Sequence, residues 1–235
     1  MKNHKHYITP ILIFALFCLC LSGCAQPQVF YAFPKAIGIK GEKILVYTDG
    51  PPYWFSKSRG ATFDGYVTSG FRMATFYESV DRTIFVKAAV KSGLNINSEM
   101  REKISGLEIS YLYISDKELP KLFDLASAMG IAFLVKTRLI NYSETIGWEK
   151  TTLTHRSNIV ADFTVYDVKK RRKMFQKVLT ANGIYWDFDA KKNMLSFSST
   201  GKKKRVGCDC SASVDAITGL VRQMTRLIKE SRKEG

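Results

Sequence analysis

The apolar positions along this chain change period several times, and each change predicts a change of element. Ile11 to Leu21 is an unbroken apolar run. It falls short of the roughly 20 apolar residues that a membrane-spanning helix needs. Lys43-Ile-Leu-Val-Tyr-Thr48 is a second short run, stopped by Asp49-Gly-Pro-Pro52, the pattern of a buried strand followed by a turn. Residues 53–65 are rich in Gly, Ser and aromatics and read as a loop, and Tyr66 to Glu78 fits neither period. From Ser79 to Ser92, Val80, Ile84, Ala88 and Lys91 recur at helical spacing, with Gly93 as the stop.

The second half is clearer. Leu107 to Ile114 alternates, which predicts a strand. Ser115-Asp-Lys-Glu118 has the form of a capping box. Leu119, Leu122, Phe123, Ala126 and Met129 then make one helical stripe, with Pro120 in the first turn and Gly130 as the stop. Ile131 to Val135 is a buried strand continuing to Tyr142. Ser157 to Val168 alternates, with Ile159, Ala161, Phe163 and Val165 on one face and Val160, Asp162, Thr164 and Tyr166 on the other. A polar turn, Asp167 to Lys173, leads into a returning strand with Met174, Gln176, Val178 and Thr180, so the pair reads as a β-hairpin. Residues 182–207 read as a loop or hairpin-like extension. Ser211 to Lys233 is a long amphipathic helix with Val214, Ile217, Leu220, Val221, Met224, Leu227 and Ile228 on its apolar face. The predicted fold class is α/β: a mixed sheet flanked by helices, with a C-terminal amphipathic helix.

The first apolar run follows a basic head, Met-Lys-Asn-His-Lys, and precedes Ser22-Gly23-Cys24, which is the layout of a secretory signal. Leu21-Ser-Gly-Cys24 resembles a bacterial lipobox. That resemblance implies cleavage between Gly23 and Cys24 and a lipid on the Cys24 thiol. Cys18 and Cys20 are small hydrophobes that would leave with the signal. Ala25 follows the cysteine, where Asp would favour inner-membrane retention by the resembled sorting rules, so the outer membrane facing the periplasm is expected. The chain thus divides into a signal peptide at 1–23, a lipidated cysteine and tether at 24–42, and a single α/β domain at 43–235. The tether holds two prolines, and its aromatics Phe30, Tyr31 and Phe33 could instead dock on the body.

Charge changes the picture next. The net charge is +15, and the signal holds only Lys2 and Lys5 of it, so the mature part stays strongly basic. Such charge ordinarily points to nucleic acid. Export argues against that partner and for anionic headgroups, lipopolysaccharide phosphates or acidic glycans. The basic residues concentrate in two runs, Lys169-Lys170-Arg171-Arg172-Lys173 and Lys202-Lys203-Lys204-Arg205.

Three stretches carry a family resemblance. They are Phe123-Asp-Leu-Ala-Ser-Ala-Met-Gly-Ile-Ala-Phe-Leu-Val135, then Ala161-Asp-Phe-Thr-Val-Tyr-Asp-Val168 followed by Met174-Phe175, and then the last amphipathic helix. Their order resembles the envelope lipoproteins related to the curli secretion protein CsgG, the peptidoglycan-synthase activator LpoB and the N-terminal domain of TolB, over roughly residues 43–231. The resemblance implies a non-enzymatic module that binds other envelope proteins, often as a homo-oligomer. In the curli-type member amphipathic hairpins form a pore. A pore strand needs about 9–11 alternating residues; Phe175 to Phe188, interrupted by Asn182-Gly183, is the nearest candidate and alternates poorly. The chain departs from the family in lacking a hairpin-turn glycine and in the apparent insertions at 145–156 and 182–207.

Enzyme chemistry has little support. His155 is the one histidine beyond the signal and reads as an exposed loop residue. There is no metalloprotease His-Glu spacing and no Gly-x-Ser-x-Gly elbow, and Thr200-Gly201-Lys202 lacks the rest of a P-loop. Cys208-Asp-Cys210 places two thiols roughly 6.5–7 Å apart on an extended strand, at the upper edge for a disulfide. A disulfide and free thiols both remain open there. Metal is not expected, because a site normally takes about four ligands. No catalytic residue, metal or cofactor is expected. The functional expectation is a lipid-anchored adaptor or assembly factor for an envelope protein, with a secretion-pore subunit and a thiol-dependent envelope enzyme as alternatives.

Overall fold

The computed structural model describes residues 41–51, 53–56, 61–104, 107–149, 152–187 and 210–233. The chain passes through β1 (Lys43–Tyr47), β2 (Trp54–Ser56), β3 (Ala61–Thr62), α1 (Phe63–Ala74), β4 (Glu78–Ser79) and α2 (Arg82–Lys91). It continues through β5 (Ile96–Ile104), β6 (Leu107–Ile114), α3 (Leu119–Ala128), β7 (Ile131–Glu149), β8 (Thr152–Asp167), β9 (Arg172–Asp187) and α4 (Cys210–Lys233). One five-stranded sheet has the order β4-β1-β7-β8-β9, and two-stranded pairs β2-β3 and β5-β6 flank it. β1 runs parallel to β4 and β7, while β7, β8 and β9 are antiparallel. The mixed α/β sheet with a C-terminal helix packed on it is the predicted class.

Two cores explain the layers. On one sheet face, Ile44, Val46, Phe133, Val135, Phe163 and Val165 pack with Phe71 of α1 and with Ile217, Leu220, Val221 and Met224 of α4. On the other, Leu45, Tyr47 and Leu134 pack with Phe85 and Ala89 of α2 and with Leu122, Phe123 and Ala126 of α3. Continuous apolar runs such as Ile44 to Tyr47 are what a strand buried on both faces requires.

Several readings change. Residues 53–65 are not a single loop: they hold β2, β3 and the start of α1. The ambiguous stretch is α1 itself, with Phe63 through Phe71 all buried. Phe63, Tyr66, Val67, Phe71 and Ala74 do recur at helical spacing, but that stripe begins inside 53–65 and ends before Glu78, so neither period fits Tyr66 to Glu78 as a whole. In α2 the inward face is Arg82, Phe85 and Ala89, whereas Ile84 is 61% exposed. Asp81 sets this register by accepting from the Thr83 and Ile84 amides at 2.8 and 3.1 Å. Ser115 caps a single 3-10 turn, accepting from the Lys117 amide at 3.4 Å, and Glu118 accepts from Asn95 rather than reaching back. Residues 145–149 and 152–156 are the paired far ends of the β7 and β8 arms. Asn182-Gly183 does not interrupt β9 either, since both residues pair with β8.

Candidate functional site

The fold brings together charges that lie far apart in the sequence. β1 ends beside the middle of β7, with Tyr47 opposite Lys136. The Lys136 ammonium donates to Asp49 at 2.8 Å and to both Asp116 oxygens at 2.8 and 3.1 Å. Burial alone would lower its pKa, but the hydrogen bonds to Asp116 and Asp49 outweigh burial and raise it. A catalytic lysine base needs the opposite shift. Beyond the β1 terminus, β6 takes up the next residue of the chain. The Thr48 amide donates to Leu112, and the Ile114 amide donates to Thr48, each at 2.8 Å. This cluster locks β1, β6, β7 and the turn before α3 together.

A second buried lock holds α1 to α2. Arg82 pairs with Asp64 at 3.1 Å and donates to the Thr68 hydroxyl and the Val46 carbonyl. The Leu112 amide donates to the Asp64 carboxylate at 2.8 Å.

Beyond Lys136, among the described residues, only β8 and β9 continue beside β7, and the three strands form a ribbon. α4 covers one ribbon face: Tyr142 and Ser157 meet Ser213 through their hydroxyls at 3.0 and 3.4 Å. α4 also serves the β9 edge. Asp215 accepts from the Ile184 amide and Gln223 donates to the Thr180 carbonyl. The other face carries cross-strand rows, Lys136–Thr164–Gln176 and then Arg138–Asp162–Val178. Arg138 and Gln176 both donate to one Asp162 oxygen, at 3.3 and 3.0 Å. Ile140 and Val178 are 52% and 59% exposed on or beside these rows. This uncovered, mixed polar and apolar face is the candidate binding surface.

At the other end, where β1 and β7 begin, the β8–β9 turn presents Lys169, Lys170, Arg171, Arg172 and Lys173, all exposed. Arg171 takes the left-handed conformation, φ 50°, and its guanidinium reaches Asp124, the Pro120 carbonyl and the Phe123 ring of α3.

His155 is not an exposed loop residue: it sits on β8 at 3% exposure. Gly23, Cys24, Cys208 and Lys202–Arg205 lie outside the described residues, as does the side chain of Cys210. Sequence reading missed Asp49, Asp64, Arg82, Asp116 and Lys136 as partners. The available signal was a single charge set among apolar neighbours, as in Thr62-Phe-Asp64-Gly-Tyr66. Among the described residues no group of three or more His, Cys, Asp or Glu is placed to hold a metal ion, and no helix is long and apolar enough to cross a membrane.

No protein-family model matches the chain, and no curated protein matches it in sequence. Among solved structures it is similar to a hypothetical protein from Chlamydia trachomatis, with 11% identity and a TM-score of 0.32, over 83% of this chain and 95% of that one. It is similar to a lipoprotein from Neisseria meningitidis, with 8% identity and a TM-score of 0.32, over 83% of this chain and 99% of that one. It is also similar to a minor lipoprotein from Acinetobacter baumannii, with 18% identity and a TM-score of 0.23, over 48% of this chain and 83% of that one. The last two of these structural neighbours are bacterial lipoproteins.

Proposed function

We propose that the protein is a non-enzymatic lipoprotein of the bacterial cell envelope, anchored through lipid on Cys24, that binds another envelope protein through the uncovered face of its β7–β9 ribbon. The observation that carries the binding role is the asymmetry of that ribbon. α4 buries one face, and the other leaves Arg138, Ile140, Gln176 and Val178 in solvent. Mixed polar and apolar surface of this kind suits a protein partner that docks and releases, rather than a permanent interface with its larger apolar share.

A pore role draws less support. A lipid-facing strand alternates apolar and polar residues over about 9–11 positions. The distal β7 face toward α4 instead runs Tyr142, Glu144, Ile146, Trp148, opposite Ile159, Ser157, His155 and Leu153. Two measurements test the proposal. Labelled palmitate should enter the protein and be lost in Cys24→Ala. A photo-crosslinking residue at Val178 should capture a discrete partner in cells, while one at Val90 of α2, also exposed, should not. Capture from neither position, or equally from both, removes the ribbon face as the docking surface.

A further inference from the structure

We infer that the end of the domain bearing the β8–β9 turn is a headgroup-binding surface that seats the protein on an anionic phospholipid bilayer. Lys170, Arg172 and Lys173 of the turn line one cleft with Ser231 and Arg232 from the last turn of α4. Asp167 is the acid in that cleft, and it accepts from the Lys170 amide at 2.9 Å. Lys169, Lys43 and Lys233 add exposed positive charge at the same strand and helix ends. Two elements remote in sequence therefore converge on one basic surface.

The path of the chain selects a membrane over an acidic protein. Arg232 pairs with Glu42 at 2.6 Å, and the Glu42 carbonyl accepts from the Glu78 amide, so the chain enters the fold beside the basic cleft. From Cys24 to Glu42 the chain reaches up to roughly 60 Å if extended. A lipid on Cys24 thus bounds how far Glu42 can lie from a bilayer, and which face of the domain meets it is a separate choice. Charge makes that choice, because attraction to anionic headgroups acts within about 8 Å at physiological ionic strength. Acyl chains combined with a basic patch hold more firmly than acyl chains alone. Seated this way, β7 starts at the bilayer and runs away from it, which carries the far end of the ribbon away from the membrane and leaves its uncovered face open to the side. The orientation rests on the lipoprotein reading above; the headgroup surface itself is tested without it.

The test uses the chain from residue 24 to 235 with Cys24→Ser, which blocks acylation, and vesicles of phosphatidylglycerol with phosphatidylcholine or of phosphatidylcholine alone. Binding should require phosphatidylglycerol and weaken steeply with salt. The triple variant Lys170→Glu, Arg172→Glu, Lys173→Glu should bind roughly a hundredfold more weakly. The charge-matched variant Lys117→Glu, Arg156→Glu, Lys177→Glu, also at exposed positions, should bind nearly as well as the parent. Equal loss in both variants would show a response to net charge alone and overturn the surface. So would binding that ignores salt, or a turn variant that keeps vesicle binding while losing capture by polyglutamate. Circular dichroism of each variant checks its fold, and the salt dependence of the parent stands without any variant. Palmitate labelling at Cys24 is scored separately, so a failure of the anchor and a failure of the headgroup surface are distinguishable.

Discussion

Gly183 of β9 lies directly beneath the backbone of Ala212 in α4. A Cβ at position 183 would overlap the Ala212 carbonyl and sit 2.6 Å from the Ala216 amide nitrogen. The helix and the strand meet here backbone to backbone, and small Ala212 and Ala216 are the helix side of the same contact. Gly183→Ala should therefore force α4 outward and destabilise the fold by about 1–3 kcal/mol, the range for overpacking. A glycine without such a neighbour would gain about 0.4–1 kcal/mol from the same change. The sign of the shift in urea midpoint decides: an unchanged or raised midpoint would show that α4 does not lie this close.

The Asp64–Arg82 pair should respond asymmetrically. Its side chains are only 3% and 9% exposed, so removing one partner strands a buried charge. Asp64→Asn or Arg82→Met alone should cost about 3–5 kcal/mol. The double variant should cost clearly less than the sum. Strict additivity in a double-mutant cycle of unfolding free energies would mean that the two groups do not act as a pair.

The β8–β9 turn offers a comparison between two substitutions of one residue. Arg171 adopts a left-handed backbone that disfavours residues with a Cβ by roughly 1–2 kcal/mol. Its contact with Asp124 is exposed and worth at most about 1 kcal/mol. Arg171→Ala loses the contact and keeps the strain, whereas Arg171→Gly loses both. Thermal unfolding should rank glycine above alanine at this position; the reverse order would contradict the turn geometry.

Stability should fall in alkali. Burial, with the Glu42 charge adding and Arg232 opposing, pushes the Tyr77 hydroxyl up to about 12. Burial also pushes Tyr142 up to about 12; the Ser213 hydrogen bond opposes this and the Glu144 charge adds to it. A group whose folded pKa is raised contributes stability that is complete below its unfolded value, about 10 for tyrosine, and lost as pH rises toward the folded value. The urea midpoint should thus hold up to about pH 10 and decline toward 12. Tyr77→Phe should make that decline shallower. Parallel declines in the parent and the variant would exclude Tyr77 as a contributor.

Much of the fold was legible because local patterning and tertiary demand agree. The stripe Leu122, Phe123 and Ala126, the alternation from Ile159 to Val165, and the C-terminal helix each face one core and show the period of their element. Patterning failed where a stripe crosses a misplaced boundary or a charge turns inward. The α1 stripe of Phe63, Tyr66, Val67, Phe71 and Ala74 starts inside the stretch read as a loop, and buried polar Asp64, Thr68 and Ser69 blur it. In α2 the charged Arg82 lies inward and Ile84 outward, a reversal that follows from the Asp64 partner.

The sequence by itself determined the mixed α/β class, the C-terminal helix, the basic hairpin turn and the lipobox-like start, because each is written in neighbouring residues. Tertiary structure alone decided that Asp49, Asp116 and Lys136 form one lock, that Arg232 meets Glu42 beside the basic turn, and that Gly183 is a helix seat rather than a break in β9. Those relationships join residues tens to nearly two hundred positions apart. Local period carries no information about them, because they exist only once the strands have set their register.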